Sequence, residues 1–177
     1  MISRLAIPIA LCGALFAQDR RPDNDAWRAL RFLIGRWEAN TKGGSAGASG
    51  AGDYSFGLEL RDHVLARHSG YSECKGPADF DCAHGDLLYV YAESGRLRAI
   101  YFDNEGHVIH YDVTTHDGGT GPDSRTAVFL SPPSEPGPQY RLTYELRAQV
   151  MSGKFEIRAP GQKEFRAYLE WSGGKKK

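Results

Sequence analysis

The sequence of 177 residues lacks several features that would reveal a function directly. Its 22 basic and 22 acidic residues balance, so no positive excess is available to neutralise nucleic-acid phosphates. No apolar stretch approaches the roughly 20 residues that a membrane-spanning helix needs. The length excludes a multidomain cofactor enzyme. These absences indicate one small globular domain without a nucleic-acid partner, a cofactor or a transmembrane segment, and they leave the oligomeric state open.

The N-terminus has the pattern of a secretory signal peptide. Arg4 supplies one positive charge, a short apolar run follows, and Ala17 offers a small residue for cleavage. Leu11, rather than a small residue, precedes Cys12, which disfavours a lipoprotein. We therefore predict a signal peptide at residues 1–17 and a mature domain at residues 18–177, located outside the cytoplasm, in a periplasm or secreted.

Only two of the three cysteines remain after that cleavage, Cys74 and Cys82. An even pair outside the cytoplasm predicts a disulfide, and Gly76 and Pro77 would let the short intervening loop close. A metal site formed with His84 is the alternative reading. Its spacing matches no standard zinc pattern, so no metal is predicted.

The hydrophobic pattern predicts one short helix followed by many strands. Positions 23–25 offer N-cap oxygens, and Gly35 ends a stripe of apolar residues at helical spacing. That stripe is Trp27, Leu30, Leu33 and Ile34. From Trp37 onward the period becomes two, as strands require. The Gly, Ala and Ser tract at residues 42–53 is typical of a flexible loop.

The period-two segments predict about ten strands with short connections, the pattern of an antiparallel meander. They are residues 37–41, 54–60, 63–72, 87–91, 97–102, 107–114, 125–130, 140–146, 154–159 and 165–171. Ten half-apolar strands would leave long open edges unless they closed on themselves. We predict an all-β, up-and-down barrel capped by the N-terminal helix.

The segment at residues 33–38, Leu-Ile-Gly-Arg-Trp-Glu, resembles the start of the calycin superfamily. That group includes lipocalins, fatty-acid-binding proteins and nitrobindin-like barrels, and the segment is especially similar to uncharacterised bacterial lipocalin-like secreted proteins. Gly35 would permit a tight turn and Trp37 would plug the closed end. The resemblance implies a cavity that binds a small hydrophobic or amphipathic molecule.

Strand alternation predicts which side chains face that cavity. The expected inner face comprises Tyr54, Phe56, Leu58, Tyr140, Leu142, Tyr144, Phe155 and Ile157. Buried phenols need a hydrogen-bond partner, which a ligand, a water or another side chain could supply. His68 shares the face of Val64 and Ala66, and it would be a polar group in the cavity if that face points inward.

The last strand offers a second possible site. Arg166 and Tyr168 match the Arg-x-Tyr pair with which fatty-acid-binding proteins hold a carboxylate. Alternation places Phe165, Ala167 and Leu169 inward and this pair outward, unless a bulge reverses the parity. Both orientations stay open.

Nitrobindin-like barrels bind haem through a histidine near the C-terminus, but no histidine follows His116 here. His63, His68, His107 and His110 are the remaining possible ligands. Residues 43–47 match G-x-S-x-G, yet no strand–turn–helix pattern surrounds them, so we interpret the match as compositional.

Three functions remain after this reading. The favoured one is extracytoplasmic binding of a small hydrophobic or amphipathic ligand by Trp37, the inward aromatic residues, His68, Arg166 and Tyr168. A filled interior would instead indicate a structural or interaction barrel. A small cyclase or isomerase would need His68 as a base in an open pocket.

Overall fold

The computed structural model describes residues 27–78, 80–118, 121, 123–134 and 136–177. The predicted signal peptide and the predicted N-cap positions 23–25 lie outside this described part. No described helix is long and apolar enough to cross a membrane.

Ten antiparallel strands form a closed barrel. They are β1 Gly35–Lys42, β2 Ser49–Glu59, β3 Val64–Lys75, β4 Asp86–Glu93, β5 Arg96–Asp103, β6 Val108–Asp117, β7 Arg125–Leu130, β8 Gln139–Arg147, β9 Val150–Arg158 and β10 Arg166–Gly174. Each strand pairs with its chain neighbours, and β1 pairs with β10. The predicted all-β up-and-down barrel is confirmed, and it is compatible with a calycin-like fold.

The predicted N-terminal helix is seen only in part. Trp27 and Arg28, the first described residues, are helical, and a 3₁₀ turn follows at Arg31–Leu33, where the Leu33 N–H donates to the Leu30 carbonyl at 3.0 Å. Trp27, Leu30 and Leu33 follow a spacing of three residues, which places side chains on one side of such turns. All three are buried, so the segment still caps the barrel.

The loop predicted at residues 42–53 is shorter than expected, because β2 begins at Ser49. Glycine is required there by close packing: a Cβ on Gly50 would lie 2.1 Å from the Glu73 carbonyl oxygen of β3. The remaining loop is held against β10, since the Ser45 and Ala46 N–H groups donate to carbonyls of residues 167 and 168 at 2.9 and 3.0 Å. The tract is therefore a docked segment.

The core fills the end of the barrel where β1 begins. Trp37 is 2% exposed, and its indole N–H donates to the Leu33 carbonyl at 2.7 Å. The 3₁₀ turn covers this end, and the Trp27 indole N–H donates to the carbonyl of Asp62 in the β2–β3 turn at 2.8 Å. Phe56, Leu58 and further buried side chains complete the packing. We call this region the closed end.

Candidate functional site

The opposite end of the barrel, the open end, is hollow. Its cavity has a volume of about 430 Å³. One wall, from β8, β9 and β10, is apolar and aromatic, whereas the wall from β3 to β6 carries charged and polar side chains. The apolar wall comprises Tyr140, Leu142, Phe155, Ile157, Leu169 and Trp171. A cavity of this size and character is suited to a small amphipathic molecule.

The expected inner residues face the interior at two levels. Tyr54, Tyr144 and the predicted residues of the apolar wall line the cavity. Phe56 and Leu58 lie below it, in the closed-end core. Trp37 is also in that core and does not line the cavity, so its place matches a plug better than a ligand contact.

The face of β3 that carries Val64 and His68 points outward. Register pairs Arg67 with Phe56 and Leu88, both inward, whereas His68 pairs with Ser55 and Leu87. His68 therefore lies on the outer face, where its side chain is 42% exposed and its Nε2 is 2.7 Å from Glu59 Oε1. The inward polar residue of β3 is Arg67, which the alternation of apolar residues did not indicate.

A bulge does interrupt β10, between Ala167 and Leu169. Tyr168 occupies the bulge and lines the cavity mouth, where its ring contacts Phe155 edge-on at 6.1 Å between centroids. Arg166 pairs with Ile157 but remains exposed and outside the lining. The structure thus separates the two members of the predicted carboxylate pair.

The other three histidines that were considered as ligands lie apart from one another in the described structure. His63 lies in the β2–β3 turn at the closed end, and His110 is exposed on β6. His107 lies at the mouth, where its Nδ1 is 2.9 Å from Asp103 Oδ2.

A polar network crosses the floor of the cavity. Arg67 donates to Asp86, and the two side chains are 10% and 13% exposed. His84 Nε2 lies 3.7 Å from Asp86 Oδ2 and 3.0 Å from the Tyr101 hydroxyl, while its Nδ1 is 2.7 Å from Glu105 Oε1. Charges of both signs therefore alternate along the network.

The network shifts the pKa values of its members. Burial alone would raise the pKa of Asp86, but the charge of Arg67 and the contact with His84 lower it to about 2. Asp86 raises the pKa of His84 most strongly, burial opposes this, and Glu105 adds to the rise, giving about 9. Because His84 Nε2 and Asp86 Oδ2 are 3.7 Å apart, these two groups interact as an ion pair and not through a hydrogen bond. At neutral pH His84 is charged and Asp86 is ionised.

A second group, which we call the donor cluster, comprises Tyr54, Arg67, Tyr144 and Trp171. The two phenol hydroxyls, Arg67 Nε and the Trp171 indole N–H are buried and form no well-aligned hydrogen bond with the described residues, although the Trp171 indole N–H approaches the Tyr54 hydroxyl. Burial raises the pKa of Tyr54 to about 12, and it also raises that of Tyr144, so both phenols stay protonated. Gly153 makes room for Trp171, since a Cβ there would lie 2.1 Å from the indole ring.

The predicted disulfide between Cys74 and Cys82 is confirmed, with Cα atoms 5.4 Å apart. It closes the β3–β4 connection, which reaches over the cavity mouth with Phe80. Asn104 fixes this connection at its far end: its side-chain N–H donates to the Ala83 carbonyl at 3.1 Å and its Oδ1 accepts from the Gly85 N–H at 2.9 Å.

No protein-family model matches this sequence, and no curated protein is significantly similar to it. The class that the fold defines is a closed ten-stranded antiparallel barrel with a cavity at one end.

Proposed function

We propose that the protein binds a small amphipathic molecule in the open-end cavity, and that it does so outside the cytoplasm as a lipocalin-like secreted protein. The observation that carries the proposal is the hollow of about 430 Å³ between an apolar wall and a polar floor. Burial of the ligand's apolar surface, at about 25 cal/mol per Å², would supply most of the affinity. The floor would orient its polar end.

The other two readings receive less support. A purely structural barrel would be filled, whereas this interior is filled only at the closed end. The proposed base His68 lies outside the cavity beside Glu59. The location is supported by the disulfide and by the predicted signal peptide.

Titration with the fluorescent probe N-phenyl-1-naphthylamine tests the proposal. Ala39 lines the cavity, so Ala39→Trp should fill part of it and abolish the fluorescence increase seen with the unchanged protein. Ala92→Trp is the matched control, because Ala92 is exposed on β4 and does not line the cavity. No binding by the unchanged protein, or equal binding by the Ala39→Trp variant, would refute cavity binding.

Native mass spectrometry of protein from the extracytoplasmic fraction of its host adds a direct test. A retained small molecule would identify the ligand class by its mass. Recovery of the protein only from the cytoplasm, with residues 1–17 still attached, would contradict the proposed location.

A further inference from the structure

We propose that the donor cluster recognises an uncharged carbonyl oxygen at the polar end of the ligand, as in a ketone, an ester or a quinone. The inference rests on the proposed function and names the chemical class that the cavity takes. It is carried by Tyr54, Arg67, Tyr144 and Trp171, which all line the cavity.

These side chains form one cluster although they come from four strands. The ring centroids of Tyr54 and Tyr144 are 5.8 Å apart, and those of Tyr54 and Trp171 are 6.5 Å apart. Arg67 Cζ lies 5.0 Å from the centroid of the Tyr54 ring. Arg67 is 9% exposed, and Tyr54 and Tyr144 are almost fully buried. Four polar groups without a well-aligned hydrogen bond therefore meet in one place.

The cluster has more donors than it can satisfy by itself. Each of the four groups carries a hydrogen to donate, and the two phenol oxygens are the only acceptors among them. Two phenols cannot donate to each other at once, so at least one phenol hydrogen lacks an acceptor in every internal arrangement. A buried donor without an acceptor is destabilising, so an oxygen supplied by a ligand would be favoured.

Charge decides which kind of oxygen fits. Arg67 is already paired with Asp86, and His84 with Glu105, so these groups carry no net charge together. A carboxylate added to the floor would be buried without a counter-charge, which is costly. An ammonium group would place donors against donors. A carbonyl oxygen accepts hydrogen bonds and brings no charge.

The charged side chains at the cavity mouth also favour an uncharged ligand. Glu73 and Asp81 line the mouth and are exposed, so an entering anion would meet negative charge. The four polar atoms are covered by neighbouring side chains. We therefore expect the Tyr54 or Tyr144 ring to shift when a carbonyl oxygen reaches the floor.

Four naphthalene probes of similar size test the preference for an uncharged carbonyl oxygen by equilibrium dialysis at neutral pH. They are 2-acetylnaphthalene, 2-ethylnaphthalene, 2-naphthoate and 2-naphthylmethylammonium. We expect the ketone to bind about tenfold more tightly than the hydrocarbon, because its oxygen accepts hydrogen bonds from buried donors that otherwise lack an acceptor. It should also bind more tightly than either ion.

Two variants connect that preference to the cluster. Tyr54→Phe and Tyr144→Phe should each weaken ketone binding roughly fivefold while leaving 2-ethylnaphthalene binding within about twofold. Tyr140→Phe is the matched control, since Tyr140 lines the same cavity outside the cluster, and it should change neither affinity. Without ligand, Tyr144→Phe should not lower the Tm, because it removes a hydroxyl that has no hydrogen-bond partner among the described residues.

The outcomes separate the two proposals. Tighter binding of 2-naphthoate than of the ketone would replace the carbonyl site with an anion site. Equal binding of the ketone and the hydrocarbon, or a ketone affinity that both Phe variants leave unchanged, would overturn the inference and leave cavity binding intact. A lower Tm of the Tyr144→Phe variant would reveal a structural partner of that hydroxyl and also overturn the inference. Binding of none of the four probes would refute both proposals.

Discussion

The two ends of the barrel use the same kinds of side chain in opposite ways. At the closed end the indole N–H of Trp37 is paired with the Leu33 carbonyl, and packed side chains surround the ring. At the open end the indole N–H of Trp171 approaches the Tyr54 hydroxyl without a well-aligned hydrogen bond, and the ring borders a cavity. The comparison teaches that polar groups at the closed end are paired within packed core, whereas those at the open end are covered but poorly paired beside empty space.

The largest expected effect comes from truncating the two tryptophans. Trp37→Ala should lower the free energy of unfolding by about 3–5 kcal/mol, because it leaves a void in packed core. Trp171→Ala should cost only roughly 1–2 kcal/mol, because its half-buried ring adjoins space that is already empty. Urea unfolding of both variants gives the two values, and equal losses would contradict the difference between the ends.

A smaller effect is expected from removing the disulfide at the open end. The double variant Cys74→Ala with Cys82→Ala should lose about 2–3 kcal/mol, mainly because the unfolded chain gains freedom. Urea unfolding of the oxidised protein and of the variant measures the loss. Added reductant should destabilise the unchanged protein and leave the variant unaffected. A variant with an unchanged unfolding midpoint would show that the native contacts of Asn104 alone hold the mouth connection.

The smallest effect is a pH dependence at the open end. The folded pKa of His84 is about 9 against an ordinary 6.5, so the folded state holds the proton more tightly. The resulting stability is fully present below about pH 6.5 and is lost as the pH rises through about 9. The side chain is 33% exposed, so we expect about 1–2 kcal/mol after solvent screening.

Urea unfolding of the protein and of His84→Gln at about pH 6 and pH 10 measures this contribution. The variant should be less stable at the lower pH, and the two curves should converge at the higher one. His110→Gln, at an exposed position on the outer face, serves as the control for removing a histidine. A gap of the same size at both pH values would show that the charge of His84 contributes nothing.

The sequence predicted the barrel because its alternation is regular wherever one face is buried. Tyr140, Leu142 and Tyr144 alternate cleanly with polar residues, so both the strand and its inward face could be inferred. The 3₁₀ turn at the end of the predicted helix could not be distinguished from helix, because Trp27, Leu30 and Leu33 fit both periods over so short a stretch. The strand start at Ser49 was hidden because small residues carry no hydrophobic signal, although close packing requires them.

The polar floor could not be predicted in the same way. On β3 both faces mix apolar and polar residues, so a shift of one residue decides between Arg67 and His68 as the inward group. The pairing of β3 with β4 would decide it, but the long connection between these strands leaves their register free. A buried arginine needs a carboxylate partner. The presence of Asp86 on the next strand was therefore the one feature of the sequence that favoured Arg67 as the inward residue. Binding of a small hydrophobic or amphipathic ligand, which the resemblance implies, stays a prediction.

The closure of the barrel has a consequence for the order in which the strands can assemble during folding. β1 meets β10 through two register pairs, Asn40 with Ser172 and Thr41 with Trp171, and the Lys176 N–H donates to the Arg36 carbonyl at 2.8 Å. Hairpins between neighbouring strands can form while the chain grows, but this seam joins residues far apart in sequence. The barrel therefore cannot close until β10 and Lys176 are free to reach β1. Until then the cavity has no complete wall, so a ligand can be enclosed only after β10 is in place.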